Sequence, residues 1–167
     1  MCSSDLATTL TLRATIASGF VTFLLMLPET LPVPVLRGLV LERFAVDERL
    51  AGVFMSANMI GALLAAPWLG ALVRRAGSRR GLAVVALLLD ALAMQALARA
   101  GSFPSFLLWR TVEGALHIAA LTLVMSLVAD LGGARRGGAL GCLGAGLTLG
   151  VASGAAIGGL LGKDDPL

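Results

Sequence analysis

The sequence predicts an all-α membrane protein with five transmembrane helices. Hydrophobic residues make up 57% of the chain and charged residues only 14%, whereas soluble domains carry about 25% charge. The mean hydropathy is +0.91. The apolar residues gather in five long runs, and about 20 such residues are enough for one helical crossing of the hydrocarbon layer. A soluble domain of this length would need many more charged residues on its water-facing surface, so a soluble protein is excluded.

Short polar links separate the five apolar runs. Because the links are short, neighbouring helices should run antiparallel, and no segment remains for a soluble domain. We therefore expect one transmembrane domain over residues 1–167. Its predicted spans are residues 14–36, 50–73, 81–98, 105–129 and 138–162.

The arginines predict the orientation of the chain, because cytoplasmic links hold an excess of Lys and Arg. Four arginines lie within the seven residues from Arg74 to Arg80. With the N-terminus in the cytoplasm, seven Lys and Arg residues face inward and five face outward. The sequence thus predicts a multi-pass protein of the cell membrane with a cytoplasmic N-terminus. The arginine clusters flank apolar runs and contain no stacking aromatic residues, so no nucleic acid partner is expected.

Five ionisable residues fall inside the predicted spans, where a charged side chain costs about 2.5–3.5 kcal/mol on insertion scales. Three of them, Arg110, Glu113 and His117, are spaced i, i+3 and i+7 and share one face of the fourth helix. Arg110 and Glu113 can form an ion pair there. Histidine is the side chain that ordinarily titrates nearest neutral pH. The other two residues are Glu29 and Asp90.

The residue pattern leaves two interpretations of these groups. The Arg110 face either binds protons or substrate in a polar cavity or holds a structural ion pair that locks the bundle. Glu29 is either a protonatable or cation-recognising acid, or it lies near the outer surface and is solvated. Asp90 is either a coupling acid or a neutral, hydrogen-bonded one. No Ser/His pair, His-Glu-x-x-His run or acid dyad points to an enzyme, and no cofactor or metal site is expected.

Glycine is concentrated near the C-terminal end of the sequence. Twelve of the 21 glycines lie between Gly132 and Gly162. Within the fifth span, glycine recurs every four residues from Gly146 to Gly162. On an α-helix this spacing forms a stripe along which another backbone can approach closely. We therefore predict a helix-packing surface here.

Three motifs resemble those of the major facilitator superfamily of transporters. The loop Gly70–Arg80 resembles the family pattern Gly-x-Leu-x-Asp-Arg-x-Gly-Arg-[Arg/Lys], with Arg74 at the aspartate. The run Arg110–Gly114 resembles the fourth-helix motif Arg-x-x-Gln-Gly, with Glu113 at the glutamine. The run Gly150–Gly159 is similar to the fifth-helix motif of drug and metabolite exporters, with an alanine at its proline. All three stand in the family's order.

The resemblance implies a fold of two six-helix halves, each built from inverted three-helix repeats. The chain is expected to supply the N-terminal half without its sixth helix, as a truncated transporter. The implied function is secondary active transport of a small molecule, with proton-coupled efflux expected. Implied partners are the lipid bilayer, a small-molecule substrate, protons, and a missing C-terminal half or a second copy. The alternative is a non-transporting remnant or a small membrane scaffold whose buried charges are structural.

The residue pattern and the resemblance together give three sets of candidate residues. The candidates for coupling or substrate contact, taken from their position inside the spans, are Arg110, Glu113, His117, Glu29 and Asp90. A cytoplasmic gate loop comprises Gly70, Arg74, Arg75, Gly77, Arg79 and Arg80, together with Asp130 at the end of the fourth span. The helix-packing motif comprises Gly150, Gly154, Gly158 and Gly159.

Overall fold

The computed structural model of the chain describes residues 2–75 and 78–162. These residues form helices and short links, and no strand occurs among them. The helices are α1 (Cys2–Thr30), α2 (Leu36–Phe44), α3 (Glu48–Arg75), α4 (Arg79–Ala98), α5 (Phe103–Gly132) and α6 (Arg136–Leu161). Short 3-10 turns at Val33–Val35 and Gly133–Arg135 precede α2 and α6.

Five of the described helices are long and apolar enough to cross a membrane, which confirms the predicted all-α fold with five spans. The observed helices extend past the predicted spans at several ends, because helical hydrogen bonding continues beyond the apolar window. The five candidate spans are Leu12–Val35, Gly52–Arg75, Arg79–Ala98, Phe103–Gly132 and Arg136–Leu161.

Helix α2 lies in the segment for which the sequence predicted only a link. Two prolines, Pro32 and Pro34, follow the end of α1 at Thr30, and neither can donate the backbone hydrogen bond that would continue the helix. The chain becomes helical again at Leu36. It leaves α2 at Ala45, which adopts a left-handed φ of 49° and donates its backbone N–H to a carbonyl in the last turn of α2.

The chain divides into two compact units. Among the described residues, the first unit combines residues 2–34 with residues 124–162, and the second contains Val35–Leu123 apart from the two undescribed residues 76 and 77. Helix α5 contributes its first part to the second unit and its last part to the first. Within the first unit, α1 and α6 pack along each other, and within the second, α2 packs on α3.

An aromatic cluster holds α2 in place within the second unit. The Phe54 and Phe106 rings stack with centroids 4.9 Å apart, and the Phe44 ring lies 5.1 Å from Phe106. Arg43 donates hydrogen bonds of 3.0 and 3.1 Å to the carbonyl oxygens of Ala98 and Ala100. Carbonyls at the end of a helix lack helical partners, so Arg43 joins α2 to the end of α4.

Candidate functional site

A buried ion pair lies on α5 in the second unit. The Nη1 atom of Arg110 is 2.6 Å from Oε2 of Glu113, and the two side chains are only 1% and 0% exposed. The residues are three positions apart, so both project from the same face of the helix. A charge-assisted bond of this length is a strong one. The pair therefore carries both of its charges within the bundle.

Helix α3 supplies two further groups to this ion pair. The Asn58 side-chain amide donates a 3.1 Å hydrogen bond to Oε2 of Glu113. The Arg110 guanidinium lies over the Phe54 ring, 4.5 Å from its centroid, where the negative face of the ring attracts a cation. The ion pair is thus held by two helices.

Two glycines allow α3 and α5 to approach closely enough for these contacts. A Cβ atom at Gly114 would lie 2.9 Å from the carbonyl carbon and the Cα of Asn58. A Cβ at Gly61 would lie 2.9 Å from the carbonyl carbon of Thr111. Real Cβ atoms essentially never come this close, so the crossing requires residues without side chains.

His117 lies beside two carboxylates at longer distances. Its Nδ1 atom is 3.6 Å from Oδ2 of Asp90 on α4 and 3.9 Å from Oε1 of Glu113. Both separations exceed those of good hydrogen bonds. Asp90 is 6% exposed, and its Oδ1 atom makes no hydrogen bond with the described residues. His117 on α5 and Asp90 on α4 are therefore neighbours within the second unit.

Four of the five ionisable residues that the sequence singled out inside the spans meet within the second unit; they are Asp90, Arg110, Glu113 and His117. Glu29 belongs to α1 in the first unit and is half-buried.

Sequence reasoning missed Asn58 and Phe54 as members of the cluster. Asn58 is the only asparagine of the chain and interrupts an apolar run, a signal that could have identified it.

The family model of the Major Facilitator Superfamily matches residues 18–164. The chain belongs to this family. The match covers most of the first span and all of the other four, and it confirms the resemblance to the superfamily. No curated protein and no solved structure matches the chain. Members of the Major Facilitator Superfamily are membrane transporters, so the buried cluster lies in the spans of a transporter.

The residues predicted to form a gate loop of this superfamily member lie at two helix ends. Gly70, Arg74 and Arg75 occupy the last turns of α3, and Arg79 and Arg80 occupy the first turn of α4. All five are exposed. Gly77 lies outside the described residues. Asp130 is exposed near the end of α5, in the first unit.

The glycine stripe of α6 lies against α1 in the first unit. Four glycines of α6 lie so close to the backbone of α1, or of Leu31 directly after it, that an added Cβ atom would be 2.8 Å or less from a backbone atom. These glycines are Gly146, Gly150, Gly154 and Gly158. The Thr30 hydroxyl adds a polar contact, 3.2 Å from the carbonyl oxygen of Val151. Gly159 differs from these four, because it is exposed and its Cβ would meet only Pro34 at 3.8 Å.

Proposed function

We propose that this chain is a proton-coupled secondary transporter that exports small molecules. The observation that carries the proposal is the buried cluster of Asp90, Arg110, Glu113 and His117 on membrane-spanning helices. Ionisable groups inside a membrane are costly and typically mark substrate or proton pathways. Export is favoured by the glycine motif of α6, which resembles that of exporters and packs on α1.

The charges of the cluster support a competition between protons and substrate. If Asp90 and Glu113 are ionised and His117 is neutral, the four side chains of the cluster, with the Arg110 guanidinium, have one net negative charge. A proton on His117 would be attracted by both carboxylates and would make the cluster neutral. A monovalent cationic substrate would neutralise the same charge. Because one added positive charge is enough to neutralise the cluster, binding of a proton favours release of the cationic substrate, and binding of the substrate favours release of the proton. Exchange of substrate for protons requires this competition.

The two halves of the cluster take different roles in this proposal. The Arg110–Glu113 pair, with its 2.6 Å contact and support from Asn58, sets the position and the net charge of the site. His117, 3.6 Å from Asp90, is the residue proposed to carry the proton. Glu29 on α1 is a further candidate for contact with a cationic substrate. The gate loop and Asp130 would open or close the cytoplasmic side.

Transport in liposomes tests this function. The purified protein is reconstituted, a pH gradient is imposed, and movement of the cationic dye ethidium is followed by fluorescence. We expect movement that depends on the gradient, and we expect Arg110→Ala to abolish it. The matched control is Arg99→Ala, because Arg99 is exposed at the end of α4. Absence of gradient-driven movement, or full movement by Arg110→Ala, would refute the assignment.

A second candidate function is a membrane scaffold in which the cluster is structural. The near-complete burial of Arg110 and Glu113 and the amide hydrogen bond from Asn58 favour it, since a buried ion pair that is hydrogen-bonded to a second helix can lock a helix crossing. Removing one partner of a buried pair costs about 3–5 kcal/mol. A scaffold therefore predicts that Arg110→Ala lowers the free energy of unfolding by this amount while the wild-type protein moves no dye.

A further inference from the structure

Helix α2 packs against the same end of three membrane-spanning helices in the second unit. Its Val40 side chain is fully buried in an apolar cluster to which each of these helices contributes; the other members include Phe54 of α3, Leu97 of α4 and Phe106 of α5. The Glu42 and Arg43 side chains of α2 are exposed. With nine residues, α2 is far shorter than the roughly 20 residues of a membrane span. It therefore caps one end of the unit.

Three aromatic rings connect α2 to the buried ion pair. The Phe44 ring of α2 lies 5.1 Å from the Phe106 ring, which stacks on Phe54 at 4.9 Å. The other contact of Phe54 is with Arg110, whose guanidinium carbon is 4.5 Å from the ring centroid. Phe106 and Arg110 are four residues apart and share a face of α5. The Phe54 ring, which is only 1% exposed, thus lies between the aromatic residues under α2 and the Arg110–Glu113 pair.

The ends of α2 allow it to move without unfolding of the spans. An isolated helix of this length is marginal in water. Pro34 precedes α2, and Ala45 follows it with a left-handed φ of 49° that no other described non-glycine residue adopts. Hinges are typically a few residues at the ends of such elements. Arg43 anchors the helix through hydrogen bonds to two carbonyl oxygens at the end of α4, and the exposed Arg43 can exchange these bonds for water.

We propose that α2 is a lid over the Arg110–Glu113 pair and that Phe54 couples closure of the lid to the state of this pair. While Glu113 holds the guanidinium, Arg110 stays against the Phe54 ring and the aromatic contacts under α2 are complete. A cationic substrate that binds the Glu113 carboxylate takes this counter-ion from Arg110. A buried charge that loses its counter-ion is costly, so hydration of Arg110 becomes favourable, and opening of α2 admits the water.

The lid deepens the proposed transport function and rests on it in one respect. The predicted orientation, with a cytoplasmic N-terminus, puts α2 on the outer side of the membrane. An exporter releases its substrate on that side. Binding of a cation at Glu113 would thus favour opening of the side through which the cation leaves.

Hydrogen exchange followed by mass spectrometry measures opening of α2 without any transport, because local opening sets the exchange rate of its amides. The purified chain is compared over residues 36–44 and, as an internal reference, 136–161. Glu113→Gln removes the charge that holds Arg110. It should speed exchange in α2 by about 5- to 150-fold, the usual range of coupling between two sites, and leave α6 unchanged. Arg43→Gln loosens α2 directly and shows that the measurement detects opening.

Variants of Phe54 and Asp90 separate coupling from general loosening. In a Phe54→Leu background, Glu113→Gln should cause no further change in α2, whereas Phe54→Tyr keeps the ring and should keep the effect. Asp90→Asn makes the same chemical change to a buried carboxyl group beside His117 and should leave α2 unchanged.

Three results would overturn the proposed lid. They are unchanged α2 exchange in Glu113→Gln, an equal increase in α6 or in Asp90→Asn, and an undiminished effect of Glu113→Gln in the Phe54→Leu background. Glu113→Gln alone remains decisive if Phe54→Leu does not fold, because glutamine is the residue of the superfamily motif at this position. Dye movement enters none of these measurements, so failure of the lid and failure of the transport function are separate outcomes.

Discussion

A methyl group added at Gly146 tests whether α1 and α6 are held together by direct backbone contact. The Cβ of an alanine there would lie 2.8 Å from the carbonyl carbon of Gly19 and 3.1 Å from its Cα. Carbon atoms in contact are ordinarily about 3.5–4.0 Å apart. The Gly19 carbonyl oxygen would be closer still. The Gly146→Ala variant therefore has to move α1 away by at least roughly 0.7 Å, the difference between 3.5 Å and the 2.8 Å to the carbonyl carbon, or bend one of the helices.

The expected loss of stability follows from this shortfall. Inserting extra carbon atoms into a packed contact costs about 1–3 kcal/mol. Against this, alanine is more favourable than glycine in a helix by about 1 kcal/mol. The control Gly144→Ala removes the effect of helix propensity from the comparison, because Gly144 lies on the same helix and its Cβ would have no other described side chain or neighbouring helix within 4 Å. The difference between the two variants should therefore be about 1–3 kcal/mol.

Unfolding in a mild detergent titrated with sodium dodecyl sulfate measures this difference, with helix content followed by circular dichroism. Gly146→Ala should unfold at a lower proportion of dodecyl sulfate than the wild-type protein. Gly144→Ala should unfold at the same proportion or a higher one. Equal stability of the two variants would show that α1 and α6 do not pack through the glycine stripe and would refute the reasoning from backbone contact.

Three further predictions concern orientation and two other contacts. Reporter fusions after Arg80 and after Arg136 should report the cytoplasm and one after Ser102 the outside, because the arginine excess sets the orientation; the reversed pattern would refute it. Arg43→Gln should lower the free energy of unfolding by about 1.5–3 kcal/mol in the same titration, since two carbonyls lose a charged donor, and an unchanged midpoint would contradict this. Gly114→Ala should cost about 1–3 kcal/mol by forcing α5 off the backbone of α3, and wild-type stability would contradict the close crossing.

The fold class was predictable because it depends on composition and on the length of apolar runs. Both properties can be read directly from the sequence, and the thickness of the hydrocarbon layer sets how long an apolar run must be to cross it. Helix α2 was not predictable in this way. An isolated helix of nine residues is marginal in water, and Leu36–Phe44 owes its structure to contacts made far along the chain, such as Phe44 with Phe106 and Arg43 with the end of α4.

The candidate site was predictable where its contacts are local and not where they join different helices. Arg110, Glu113 and His117 share a helix face, so their spacing alone placed them together. Asp90 was noticed as a buried acid, but its position 3.6 Å from His117 depends on how α4 packs against α5. The contact between Asn58 and Glu113 requires the crossing of α3 and α5 at Gly61 and Gly114, which no pattern within one helix specifies.

The local origin of the Arg110–Glu113 pair also explains how the fourth span tolerates two charges. A charged side chain at the centre of a span costs about 2.5–3.5 kcal/mol to insert, and two uncompensated charges would double that cost. These two residues are about one helical turn apart, so the pair can form within α5 alone and needs no contact from another helix. Asn58 and Phe54 of α3 contact the pair only when the helices pack. Insertion of α5 therefore depends on its own sequence, while the polar contacts of the inserted pair select α3 as its neighbour.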